Sequence, residues 1–130
     1  MPSGLINWYK QIEVTFMLKT IPSIIAQIRT TLNGIPASEA LPMCAEKKGI
    51  LIDVREPEEY AQKSADNAVN IPRGVLEMKV LTLYPNAQQA IFIHCASGVR
   101  ATFAAEQLQR LGYENVWVIT CKLDDICQAK

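Results

Sequence analysis

Cys95 ends an apolar run, Ile91-Phe92-Ile93-His94, and the small residues Ala96-Ser97-Gly98 lead from it to Val99 and Arg100. From Arg100 to Leu111 the pattern is helical. A strand that delivers a thiol into a loop closed by a helix N-terminus favours the thiolate. The loop N–H groups converge on one point, and the helix macrodipole adds partial positive charge there. The chemistry on offer is nucleophilic. Cys95 is the candidate catalytic residue, and the amides of Ala96, Ser97, Gly98, Val99 and Arg100 form its anion cradle. Gly98 permits the curvature, the small side chains leave room beside the sulfur, and Arg100 adds charge at the helix start.

Strands and helices must alternate to position that loop. Ile50-Leu51-Ile52-Asp53-Val54, Ala90 to His94 and Val116 to Ile119 are apolar runs of strand length, as buried parallel strands require. Ala68-Val69-Asn70-Ile71-Pro72 reads as a short strand stopped by proline. Helices are expected over Ala37 to Lys48, from Pro57 in an acidic first turn, briefly from Arg73 to Met78, and from Leu123 to Ala129. In the helix from Arg100, Phe103, Ala104, Leu108 and Leu111 form the expected buried face, with Gly112 as its cap. Thr20-Ile21-Pro22 with Ile24, Ile25, Ile28 and Leu32 predicts an amphipathic helix over about 20–33, stopped by Asn33-Gly34. The alternation predicts an α/β fold, a central parallel β-sheet flanked by helices on both faces, with its site at the strand C-termini.

Composition removes several function classes. The chain has 130 residues, room for one domain with a real core, with 49% apolar and 20% charged residues. Thirteen basic residues balance thirteen acidic ones, so no bulk field argues for nucleic acid or an anionic membrane as partner. Cys44, Cys95, Cys121 and Cys127 show no CxxC spacing, and His94 is the single histidine, so neither metal nor cofactor is expected. Residues 1–16 lack a basic n-region, a clean apolar core and a small-residue cleavage site. Charged residues also interrupt any run long enough to span a bilayer. A reducing, cytoplasmic location is expected. Residues 1–16 read as an extension outside the fold or as an upstream start.

Three segments together resemble the single-domain rhodaneses: Ile52-Asp53-Val54-Arg55-Glu56-Pro57-Glu58-Glu59-Tyr60, Ala68-Val69-Asn70-Ile71-Pro72, and Cys95-Ala96-Ser97-Gly98-Val99-Arg100. The resemblance implies a rhodanese-like domain over 35–130 behind an N-terminal extension, 1–34. It also implies a sulfurtransferase that carries a sulfane sulfur as a Cys95 persulfide. The donor would be thiosulfate or a glutathione or protein persulfide, and the acceptor a thiol or cyanide. Oligomeric state is not legible. Cysteine phosphatases place five residues between cysteine and arginine, whereas four separate Cys95 from Arg100 here. That tighter loop suits one sulfur better than a tetrahedral oxyanion. The alternatives are a non-catalytic sulfur-carrier or protein-interaction module and, less favoured, a small cysteine phosphatase.

Flanking residues extend the expectation. Arg73, just past Asn70-Ile71-Pro72, could attract an anionic donor at the strand end. Asp53 and Arg55 are expected to be structural, with Arg55 tied to a carboxylate such as Glu59. Strand alternation should point His94 away from Cys95, as a packed core histidine. The family often has arginine after its cysteine, and here Ala96 leaves the mouth without that cation. Cys121, where the family usually has glycine, could resolve a Cys95 persulfide as a disulfide, and Lys122 could restore charge.

Overall fold

The computed structural model describes residues 17–129, and the expectations for residues 1–16 lie outside them. The three apolar runs form strands β2 (Ile50–Asp53), β4 (Ile91–His94) and β5 (Val116–Ile119), all within a residue of the expected bounds. Each is buried on both faces, and the β-branched Ile and Val that fill them pack well on a pleat. Two short edge strands, β1 (Asn33–Ile35) and β3 (Val69–Asn70), complete a wholly parallel five-stranded sheet in the order β1-β5-β4-β2-β3. The expected α/β architecture is therefore the observed one.

Helices cover both faces. On one side, Ile52, Val54, Ile91, Ile93, Val116 and Val118 pack against α4 (Leu76–Leu83) and α5 (Val99–Arg110). The residues those helices bury are Leu76 and Val80, then Ala101, Ala104, Ala105 and Leu108. The three alanines bring α5 close to the sheet. On the other side, Leu51, Phe92 and Ile119 pack against Ala37 and Ala40 of α2 (Ala37–Glu46) and Ile126 of α6 (Leu123–Gln128). A short helix, α3 (Pro57–Gln62), follows β2, and a 3₁₀ turn, Arg73–Val75, precedes α4. Among the described residues no helix is long and apolar enough to cross a membrane.

Three local expectations are corrected. The first helix, α1 (Ile21–Arg29), stops four residues short of the expected end, and the Thr30 and Thr31 hydroxyls donate back to the carbonyls of Gln27 and Ile28. Asn33-Gly34 is not a helix stop, because β5 offers an open parallel edge and residues 33–35 pair with Trp117 to Ile119. On α5, Leu111 is 41% exposed and Phe103 is half-buried. The buried face is the alanine stripe, and Phe103 instead borders the groove that α5 forms with Ile24 and Ile28 of α1.

Candidate active site

Strand order sets the location. The chain leaves β2 toward β3 on one side and leaves β4 toward β5 on the other, so the switch point of the topology, where such folds place their sites, lies at the carboxyl ends of β2 and β4. Asp53 closes β2, and Cys95 follows β4.

Cys95 is 1% exposed and points into the α4/α5 side of the core with Ile91 and Ile93. Its Sγ accepts hydrogen bonds from the N–H of Gly98 at 3.1 Å and of Ala101 at 3.4 Å. Gly98 is the N-cap of α5 at φ +98°, left-handed backbone that glycine adopts without strain. That conformation helps turn the chain from strand to helix across the four residues 95–98 while aiming its amide at the sulfur. The loop carbonyls are held on the outside. Thr102 donates its N–H and Oγ1 to the Gly98 carbonyl, and Leu123 donates its N–H to the Ala96 carbonyl. With the carbonyls engaged outward, the cradle presents N–H groups to whatever anion sits on Cys95.

Of the five loop amides expected to face the sulfur, Gly98 is the one that bonds it directly, and Ala101 is an addition. Ala101 lies in the first helical turn, where N–H groups have no partner of their own. Ser97 is exposed, and Ala96, Val99 and Arg100 are half-buried around the mouth.

Both arginines expected to favour an anion are in ion pairs. Arg100 makes a forked contact with Glu59, Nη1 to Oε1 at 2.7 Å and Nη2 to Oε2 at 3.1 Å. Glu59 also accepts the Glu56 N–H in a capping box that starts α3. The hydrogen bond from Arg100 and that from the Glu56 amide hold the Glu59 carboxyl down at about 2, while the same pair raises Arg100. Arg73 pairs with Glu77 one helical turn away at 2.7 Å. Neither arginine brings an uncompensated charge.

Arg55 is tied to Asp53 rather than to Glu59. Its backbone N–H and Nε reach Oδ1 at 2.9 and 3.1 Å, and its Nη2 reaches Oδ2 at 2.8 Å. Residues 53 and 55 lie on one side of an extended chain, so the guanidinium folds back on its neighbour and leaves Glu59 to Arg100. Asn70 Nδ2 donates to the carbonyls of both Asp53 and Arg55, which fixes β3 to the turn.

His94 pairs in register with Asp53 and is fully buried. Its Nδ1 faces the Cys95 carbonyl at 3.4 Å, which assigns the proton there. Among the described residues Nε2 has no hydrogen-bond partner, and it stands 3.9 Å from Asp53 Oδ2. Burial pushes the imidazole below its usual value, outweighing the pull of Asp53, so the ring is neutral.

Cys121 packs with Phe92 and Ile119 on the α2/α6 side of the sheet, and its Sγ accepts the Ala37 N–H at 3.2 Å. Cys95 belongs to the opposite cluster. The two thiols thus pack in separate clusters on the two sides of the sheet. All four cysteines are free.

A buried strand-end thiol, met by two inward amides beyond the carboxyl end of a parallel strand, defines a cysteine-centred α/β domain. The family model for the rhodanese-like domain matches residues 36–129, and the chain belongs to that family. The thiosulfate sulfurtransferase PspE of Escherichia coli is 34% identical over 65 residues, which cover 50% of this chain and 62% of that protein. The mitochondrial thiosulfate sulfurtransferase RDL2 of Saccharomyces cerevisiae is 34% identical over 83 residues, covering 55% of each. The chain thus spans less than two thirds of either curated relative. A protein of unknown function from Rhodopseudomonas palustris, described as a possible tyrosine phosphatase, superposes with a TM-score of 0.71 at 19% identity, over 85% of this chain and 90% of that one. At that identity the likeness concerns the fold alone.

Proposed function

We propose that the chain is a sulfurtransferase that takes a sulfane sulfur onto Cys95 and passes it to a thiophilic acceptor. The observation that carries the reading is the pair of inward amides, from Gly98 and Ala101, on a buried cysteine. Membership of the rhodanese-like family and the two thiosulfate sulfurtransferase relatives support sulfur transfer as the chemistry.

With thiosulfate as donor, the Cys95 thiolate attacks the outer sulfur. A Cys95 S–S bond forms, the donor S–S bond breaks, and sulfite leaves with that electron pair. The negative charge then rests on the terminal persulfide sulfur, and the remaining loop amides, those of Ala96, Ser97, Val99 and Arg100, are the donors this reading assigns to it. An acceptor nucleophile, a thiolate or cyanide, attacks that terminal sulfur and releases the Cys95 thiolate. Glutathione and protein persulfides are donors of the same class. The protein chemistry in each half-reaction is to hold a soft anion in place and keep water from it, which amides do without proton transfer.

The reading includes a cytoplasmic location, supported by four free thiols. A phosphatase is disfavoured by the four residues between Cys95 and Arg100 and by the tie of Arg100 to Glu59. Incubation with thiosulfate or glutathione persulfide, followed by intact mass measurement, tests the proposal. The expected result is a gain of about 32 Da that Cys95→Ser abolishes. Absence of the adduct with both donors would leave the protein-interaction module as the better description.

A further inference from the structure

Arg29 is the last residue of α1, a helix that lies N-terminal to the segment matched by the family model. α1 buries Ile25 and Ile28 and packs along α5, which carries its final turn to the carboxyl edge of the sheet. There the Arg29 guanidinium lies directly over Gly98. A Cβ on Gly98 would stand 3.0 Å from Arg29 Nη2, and it would look past it to the Thr120 carbonyl at 3.8 Å. The amide of that same glycine is 3.1 Å from Cys95 Sγ. Following these contacts through standard bond lengths puts the guanidinium within about 9 Å of the sulfur.

Its charge is also available. Among the described residues Arg29 makes no ion pair, and it is exposed. Arg73 and Arg100 are neutralised by Glu77 and Glu59. Ala96, beside the cysteine, contributes no charge. The amides can hold an anion already in the loop, but they reach only a few ångströms. Capture of an anion from solution at longer range needs a net charge at the rim.

We propose that Arg29 steers anionic sulfur donors to Cys95 and sets a preference for them over neutral ones. The proposal rests on the sulfurtransferase reading for the identity of the donor, thiosulfate or another anionic sulfane compound. The placement of the charge stands by itself. Glycine at 98 serves twice, supplying the left-handed turn and leaving the open face on which the guanidinium rests. Arg29 also suits the carboxyl end of α1, where a cation complements the helix dipole. The test must therefore separate local charge at Cys95 from helix stability.

The experiment compares the full chain with Arg29→Gln and Arg29→Lys. Peptide-level mass spectrometry gives the rates at which Cys95 is alkylated by anionic iodoacetate and by neutral iodoacetamide at low salt. Loss of a unit charge at this range should lower the iodoacetate-to-iodoacetamide ratio about threefold in Arg29→Gln and leave it near wild type in Arg29→Lys. Thermal melts should not track that ratio. Sulfur loading from thiosulfate, a dianion, should slow about threefold to tenfold in Arg29→Gln and lose most of its salt dependence. An unchanged ratio in Arg29→Gln would overturn the proposal even if loading proceeds. If wild type takes no sulfur from any donor, the sulfurtransferase reading fails and the alkylation ratio still decides whether Arg29 charges the site.

Discussion

Replacing Arg55 with methionine tests the buried charge pair beneath the site. Asp53 is completely buried, and its two oxygens are met by the Arg55 backbone N–H, Nε and Nη2. Methionine keeps much of the apolar stem and deletes the guanidinium, so the carboxylate retains only the backbone N–H of position 55. Removing one partner of a buried pair costs about 3–5 kcal/mol, a large share of the roughly 5–15 kcal/mol that holds a small domain together. Part of the loss comes from the Lys63 carbonyl, which Arg55 Nη2 holds at 2.6 Å. In urea the midpoint should fall by about 2 M at an m-value of about 2 kcal/mol/M. Adding Asp53→Asn should recover about half of the loss or more, because the amide oxygen still accepts the position-55 N–H and carries no charge. A single variant that loses less than about 1 kcal/mol would refute the reasoning, as would a double variant no more stable than the single.

Two further outcomes follow from the loop and its neighbours. Gly98→Ala forces a side chain into backbone at φ +98° and against Arg29 Nη2. The arginine tip can move but the backbone cannot, so we expect a stability loss of about 1–2 kcal/mol and slower sulfur loading; an unchanged melting temperature together with unchanged loading would contradict it. Burial lowers the His94 pKa, so between its folded value and the ordinary 6.5 the unfolded chain binds a proton that the folded protein refuses. Stability should therefore fall as pH drops below about 6.5, by at most about 1.4 kcal/mol per unit, and His94→Asn should flatten melts taken between pH 7 and 5.5. His94 is the single histidine of the chain, so identical pH dependence in both proteins would reject the assignment.

Much of the fold is legible because it is set by short-range patterning. Short, mostly apolar runs in which half or more of the residues are β-branched read as strands buried on both faces, as a parallel sheet requires, and β2, β4 and β5 appear where those runs stand. The position of Cys95 is legible for the same reason, since a thiol at the end of such a run and before a helical pattern must lie at the carboxyl edge. The first edge strand is not legible. Asn33-Gly34 has poor strand propensity, and β5 recruits it by offering an unpaired edge.

Charge pairing is where sequence reasoning fails at the site. Arg55 has acidic residues at 53, 56, 58 and 59 within reach along the chain, and chain distance cannot rank them. The sheet decides by burying Asp53, whose desolvated carboxylate demands the cation, while α3 turns Glu59 toward Arg100, 41 residues away. The register likewise sends Cys121 to the opposite face from Cys95.

By itself, then, the sequence determined the strand that carries the thiol, the short loop after it and the helix that closes it, because each is encoded by neighbours a few residues apart. Tertiary structure alone decided which amides meet the sulfur, which arginines are neutralised and which cation stands over Gly98. Those outcomes depend on side chains tens of residues apart arriving at one edge of the sheet, and their energies exist only once packing has removed the water between them.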